Sequence, residues 1–257
     1  MGGKQLTDTD RLRAVYPSLR GKRVLVTGGG SGIGAGIVES FAQQGSDVTF
    51  IDILNGESEE LAQATGARFE RVDLRDTQAS VQRIAGLIEQ DGPFNILVNN
   101  AANDDRHKVD EVTEDYWDER LAVNLKHQFF CTQAVVPGMR ASGGGSIVNL
   151  GSISWHLALP ELVLYQTCKA AIEGLTRALA RDLGGDHIRV NCVVPGNIRT
   201  PRQMQWYTPE GEAAIVEAQC LDCRLEPKDV AALVTFLASD DARGMTGHEY
   251  FVDAGWR

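Results

Sequence analysis

Basic residues are in short supply: 25 Lys and Arg stand against 35 Asp and Glu, a formal net charge of −10. Binding a nucleic acid or an anionic membrane surface needs a basic face, so the balance argues against both partners. Long apolar runs are missing as well. None approaches the ~20 residues that span a bilayer, and Met1 to Arg20 hold no apolar segment of the secretory kind. The expected location is the cytoplasm. Cysteine is sparse: Cys131, Cys168, Cys192, Cys220 and Cys223 are odd in number and scattered, which suits a reducing compartment. Cys220 and Cys223 form a CxxC with no second pair and no histidine at ligand spacing, so no metal site is expected. The pair reads either as two ordinary thiols or as a redox couple. Aromatics make up only 7% of a chain that is 43% hydrophobic, so the core must rest on Val, Ile, Leu and Ala.

What is present is rhythm. Short β-branched runs at Arg23–Thr27, Asp47–Asp52, Ala67–Val72, Phe94–Asn99, Ser146–Gly151, Ile188–Val194 and Glu249–Val252 alternate with amphipathic stretches. The helical stretches are Ile33–Gln44, Thr77–Glu89, Asp115–Met139, Leu162–Leu183 and Asp229–Ala238. Such alternation predicts an α/β fold, a single-domain, Rossmann-type, doubly wound parallel sheet of about seven strands with helices on both faces. Val24–Val26 and Ile96–Val98 are apolar throughout, as strands buried on both faces should be. Residues 1–20 read as a polar extension, 21–257 as the domain, and about 197–218 as a flap inserted near the substrate.

The first strand runs into Gly28-Gly29-Gly30-Ser31-Gly32-Ile33-Gly34, and a helix follows. Glycine permits a sharp turn and close approach to a pyrophosphate, and the helix N-terminus offers free N–H groups. Asp52 ends the second strand, near the ~20-residue offset at which an acid takes the adenosine ribose hydroxyls. No Arg or Lys stands at Gly29, Gly30 or Ile53 to welcome a 2′-phosphate. The expected cofactor is NAD. Asp73, after the third strand, is a second candidate for the adenosine end.

Tyr165 and Lys169 lie four apart in a helical stretch and so share a face. A phenol beside an ammonium is a candidate base for an alcohol proton, and Ser152 can hold the same oxygen. His156, whose free pKa is near 6.5, is the competing base, but it lacks a partner at helical spacing.

With these motifs in hand, the chain resembles the short-chain dehydrogenase/reductase family from Lys22 to Arg257. Thr27–Gly34 matches TGxxxGxG, and Asn99–Ala102 matches NNAG with Ala102 in place of glycine. Asn124, Ser152 and Tyr165-x-x-x-Lys169 match the catalytic tetrad, and Pro195–Thr200 matches the PG segment beside the nicotinamide. The resemblance implies that Tyr165 is the acid/base, that Lys169 binds the nicotinamide ribose and lowers the phenol pKa, and that Asn124 holds a relaying water. Cofactor contacts are then expected from Gly28, Ser31, Gly32, Ile33, Gly34, Asp52, Ile53, Asp73 and Leu74. Asn100, Ala101, Tyr165, Lys169, Pro195, Gly196, Ile198 and Thr200 complete that set. A homotetramer is also implied.

Asn99–Lys108, Gly151–Leu157, Gln203–Gly211 and Thr246–Arg257 look like segments of the family's bacterial aldose 1-dehydrogenases, the D-xylose, L-arabinose and D-galactose kind. This implies hydride transfer from C1 of a sugar to NAD, giving an aldonolactone. Expected sugar contacts are Asn103, Asp105, Ser152, Ser154, His156, Tyr165, Asn197 and Trp206. The plainer alternatives are that 104–108 is a solvated loop, that His156 packs on Trp155, and that Trp206 serves an oligomer contact. At the level of function, a reductase of another ketone or 3-oxoacyl substrate and a non-enzymatic NAD sensor remain open.

Overall fold

The computed structural model describes residues 14–205 and 207–256. Seven strands form one parallel sheet: β1 (Arg23–Thr27), β2 (Asp47–Asp52), β3 (Arg68–Arg71), β4 (Ile96–Asn99), β5 (Gly145–Leu150), β6 (Ile188–Pro195) and β7 (Glu249–Val252). Their order is β3-β2-β1-β4-β5-β6-β7, so the winding reverses between β1 and β4. That reversal opens a crevice at the carboxyl ends of the central strands.

The central strands feed two cores, because successive side chains point to opposite faces. Val24, Val26, Val98 and Val148 pack on one side with Ile37 and Phe41 of α1 (Gly32–Gln43) and Val230 and Val234 of α9 (Pro227–Ala238). Leu25, Leu97 and Ile147 pack on the other with Ile84 and Leu87 of α3 (Thr77–Asp91) and Val135 and Met139 of α5 (His127–Ala141). Ala180 and Leu183 of α6 (Val163–Leu183) join that second layer.

Three features depart from the sequence expectation. Leu19, assigned to the polar extension, is 1% exposed and belongs to the first core, so packing begins before residue 21. A short helix, α2 (Gly56–Thr65), follows β2; its weak apolar stripe hid it. The stretch 115–139 is not one α-helix. It comprises α4 (Glu114–Leu121), a π-helical turn at Ala122–Lys126, and α5. Such turns concentrate at functional sites, and this one carries Asn124. The flap contains α7 (Pro201–Met204) and α8 (Pro209–Glu217), each started by proline behind a threonine cap.

Candidate active site

A cleft of about 770 Å³ lies at the carboxyl ends of the strands, running from the glycine turn past Asp52 and Asp73 to Tyr165, Lys169 and the flap. The turn is built to leave room. A Cβ on Gly34 would stand 1.9 Å from the Gly28 carbonyl oxygen, and one on Gly30 would stand 2.2 Å from Ser58 Oγ. Gly28 adopts φ 64°, in the left-handed region glycine favours. Asn100 holds the turn to β4: its Nδ2 donates to Gly28 O (2.7 Å) and Thr27 O (3.1 Å). Ser31 occupies the N-cap of α1 but makes no side-chain cap hydrogen bond. The first-turn N–H groups therefore face the cleft uncapped, as an anion site requires.

At the far end Asp52 is fixed by three amides. Oδ2 accepts from Gly30 N (2.8 Å), and Oδ1 accepts from Ile53 N (2.7 Å) and Leu54 N (3.0 Å). Its negative charge is thus presented at a set position. Asp73 is already engaged, with both oxygens paired to Arg75, which also meets Glu119 at 2.8 Å. These residues suit a dinucleotide: a cradle that side chains would fill, free amides for the pyrophosphate, and an acid for ribose hydroxyls.

The reactive end gathers from three elements. Tyr165, in the first turn of α6, lines the cleft, and Lys169 one turn on has Nζ 5.4 Å from the Tyr165 ring centroid. Lys169 is 2% exposed and donates to Leu150 O at 2.7 Å. Ser152, on the loop after β5, reaches the phenol, and its hydroxyl lies 3.0 Å from that of Ser154.

Burial holds Lys169 down at about 8, still largely cationic at neutral pH. Tyr165 departs from the expectation: burial, with Asp104 adding to it, pushes its pKa above the ordinary value, while the Ser152 hydrogen bond and Arg202 pull the other way. Desolvation of the phenolate outweighs the Ser152 hydrogen bond and the Arg202 charge together, and Lys169 is not among the groups that lower it. The Asn124 side chain lies behind the cleft wall, fully buried. Its Oδ1 accepts from Asn103 N (2.8 Å) and its Nδ2 donates to Arg120 O (3.0 Å).

Gly196 closely abuts Asp253, where a Cβ would meet the backbone at 2.7 Å, and Thr200 covers Gly32, reaching within 3.3 Å of a Cβ built there. Ile33, Ile53, Leu74, Ala101, Pro195 and Ile198 also line the cleft. Among the expected sugar contacts, Asn103, Asp105, Ser154 and Asn197 do so too. Asn197 is tied within the flap, since its Oδ1 accepts from Tyr207 (2.8 Å) and Arg224 (3.2 Å). Trp206 lies outside the described residues.

His156 requires correction. It does not line the cleft. Its ring packs on Trp155 with centroids 3.8 Å apart, and Nε2 meets Glu173 Oε1 at 3.1 Å. A shielded carboxylate on α6, which also takes Trp155 Nε1 at 2.8 Å, draws the imidazole away from the substrate side.

Sequence reasoning missed Arg120 and Arg202, and reached Gln203 and Trp256 only within segments that resemble the aldose 1-dehydrogenases; all four line the cleft. Nothing local marks Arg120 or Arg202, because only tertiary folding brings them to the cleft. Cys220 and Cys223 are both free, and among the described residues no group of His, Cys, Asp or Glu is arranged to hold a metal.

The family described as "Enoyl-(Acyl carrier protein) reductase" matches residues 28–257. The chain is 60% identical over 245 residues to a D-xylose 1-dehydrogenase of Caulobacter vibrioides, covering 95% of this chain and 99% of that protein. It is 47% identical over 247 residues to a "Probable galactose dehydrogenase" of Rhizobium meliloti, covering 93% and 96%. A solved structure described as a short-chain alcohol dehydrogenase from Sinorhizobium meliloti superposes with a TM-score of 0.86 at 33% identity, covering 93% of this chain and 98% of its own. Likeness of this extent, over a sheet and cleft of this construction, leaves one conclusion: the chain belongs to the short-chain dehydrogenase/reductase family of nicotinamide-dependent oxidoreductases.

Proposed function

We propose that the chain oxidises the C1 hydroxyl of a free aldose, D-xylose or a related sugar, to an aldonolactone with NAD. One observation carries the reading: Tyr165, Ser152 and Lys169 share a cleft with the glycine turn and with a polar loop, Asn103–Asp105. A site built from amides, hydroxyls and acids discriminates among sugars, because an unmatched hydroxyl leaves a buried polar group unpaired. Similarity to a D-xylose 1-dehydrogenase over nearly the full chain supports the substrate class.

Bound NAD supplies the hydride acceptor and a positive charge on its oxidised ring. The chain's own groups handle the proton. Ser152 Oγ orients the sugar O1, and the Tyr165 phenolic oxygen takes its proton. Lys169, fixed by Leu150 O, keeps a cation one turn from the phenol and would bind the nicotinamide ribose. The Asn124 side chain, with both polar atoms engaged, holds the loop at Asn103. Gly28, Ser31, Gly32, Ile33 and Gly34 would hold the pyrophosphate, and Asp52 the adenosine ribose, where its charge disfavours a 2′-phosphate. Arg75 does not offset this preference, because Asp73 and Glu119 already neutralise it.

Comparison of kcat/KM for D-xylose, L-arabinose, D-galactose and D-glucose with NAD and NADP tests both choices. Turnover confined to ketones or acyl thioesters would overturn the substrate, and equal or better use of NADP would overturn the cofactor. We also propose that the enzyme works in the cytoplasm as a homotetramer. Among the described residues no helix is long and apolar enough to cross a membrane. Exposed Trp117, Phe129 and Val163 on α4, α5 and α6 support a partner surface. A monomer by light scattering would refute the assembly.

A further inference from the structure

One arrangement at the mouth of the cleft ties the flap to the loop after β4. Arg202, on α7 of the flap, points Nη2 at three side chains of the loop after β4. It reaches Asp105 Oδ1 at 2.8 Å, Asp104 Oδ1 at 3.2 Å and Asn103 Oδ1 at 3.2 Å. Asp105 is gripped from the other side, its Oδ2 meeting Arg120 Nη1 at 3.1 Å. The Arg120 side chain is 7% exposed, packs its guanidinium over Tyr116, and has its carbonyl bound by Asn124. The flap is therefore joined by one exposed cation to a loop that is anchored in the protein interior.

An exposed ion pair of this kind contributes little net free energy. That is too little to matter for folding, and suits a contact that opens and re-forms at each turnover. Asp105, with both oxygens engaged by arginines, is placed as the strut of this bridge rather than as a free sugar ligand.

We propose that Arg202 is a positioning residue that couples closure of the flap to the charge around Tyr165. In the closed arrangement its guanidinium pairs with Asp104, which lines the same cleft as Tyr165, and holds Asn103–Asp105 at the cleft mouth. The proposal rests on the aldose reading and deepens it. The charged and titratable groups acting on Tyr165 are Asp104 and Cys168, which disfavour the phenolate, and Arg202, which favours it, with Ser152 hydrogen-bonded and Lys169 one turn away. Loss of Arg202 removes a stabilising cation and frees the Asp104 charge at once.

The test compares pH profiles of kcat/KM, on the best aldose, for wild type, Arg202→Gln, Arg202→Lys, Asp104→Asn and the double variant Asp104→Asn/Arg202→Gln. Arg202→Gln should move the alkaline rise to higher pH and lower kcat/KM at pH 7 about two- to fivefold. Arg202→Lys should restore much of the loss, and Asp104→Asn should move the rise to lower pH. In the double variant the Arg202 substitution should shift the rise far less. A rise left in place by Arg202→Gln, with only its height reduced, would overturn the proposal. Amide hydrogen exchange over 199–216, measured with NAD and no sugar, separates this result from failure of the substrate reading. Faster exchange in Arg202→Gln supports the bridge even if no aldose is turned over, and unchanged exchange overturns it.

Discussion

Tyr165 carries the sharpest residue-scale consequence. The protein environment disfavours its phenolate, and the base form must be populated for an alcohol to lose its proton. Activity in the oxidative direction should therefore rise as pH increases from neutral toward the alkaline range, which a pH–rate profile checks. Tyr165→Phe removes the acceptor atom and should lower kcat about 10²–10⁴-fold, with NAD binding by calorimetry nearly unchanged. Near-normal turnover in that variant would leave the proton acceptor elsewhere. His156 is not the alternative. It is committed to Glu173 and Trp155, so its replacement should alter loop packing, not the shape of the pH profile.

Among the elements, the glycine turn and the π-helical turn make separable predictions. Gly34→Ala would press a methyl against the Gly28 carbonyl, where the Cβ distance is 1.9 Å, and backbone cannot rotate away as a side chain can. Overpacking of this kind costs about 1–3 kcal/mol. Both Tm and NAD affinity should fall; retained wild-type affinity would mean that the turn does not hold the cofactor. His127 opens α5 directly after the π-helical turn, with Nε2 3.0 Å from Ala101 O. Burial lowers its pKa to about 4 from 6.5, with Lys169 contributing. Between those values the unfolded chain binds the proton and the folded chain does not. Stability should therefore fall as pH drops from 6.5 toward 4. Thermal melts across that window should show a slope that flattens in His127→Gln.

The molecule as a whole has an alkaline limit to which its buried thiols contribute alongside the Tyr165 phenol. Burial pushes Cys131 and Cys192 up to about 12 and Cys168 to about 11, all from 9.0. Above pH 9 the unfolded chain ionises these groups while the folded chain keeps its protons, so stability is lost as pH rises. Lys169, lowered to about 8 from 10.5, acts in the opposite sense up to its unfolded value. Urea denaturation should show the net decline clearly above pH 10.5, where the amine no longer compensates. The decline should shrink in Cys131→Ala/Cys192→Ala. An unchanged slope would place the cause elsewhere.

The central strands were legible because parallel strands buried on both faces must be apolar throughout, and Arg23–Thr27, Asp47–Asp52 and Glu249–Val252 coincide with their structural bounds. The glycine turn and the Tyr165–Lys169 spacing were legible for the same kind of reason: a backbone contact and a helical repeat are local constraints. The break at Asn124 was not, because a π-helical turn has no residue signature of its own and is set by the packing around it. The fate of His156 and the bridge from Arg202 to Asp105 were decided only by the tertiary fold. Each depends on a partner far away in sequence, Glu173 in one case and a loop nearly a hundred residues earlier in the other. Whether a polar side chain faces solvent, substrate or another side chain is settled by which charge arrives beside it, and composition carries no record of that meeting.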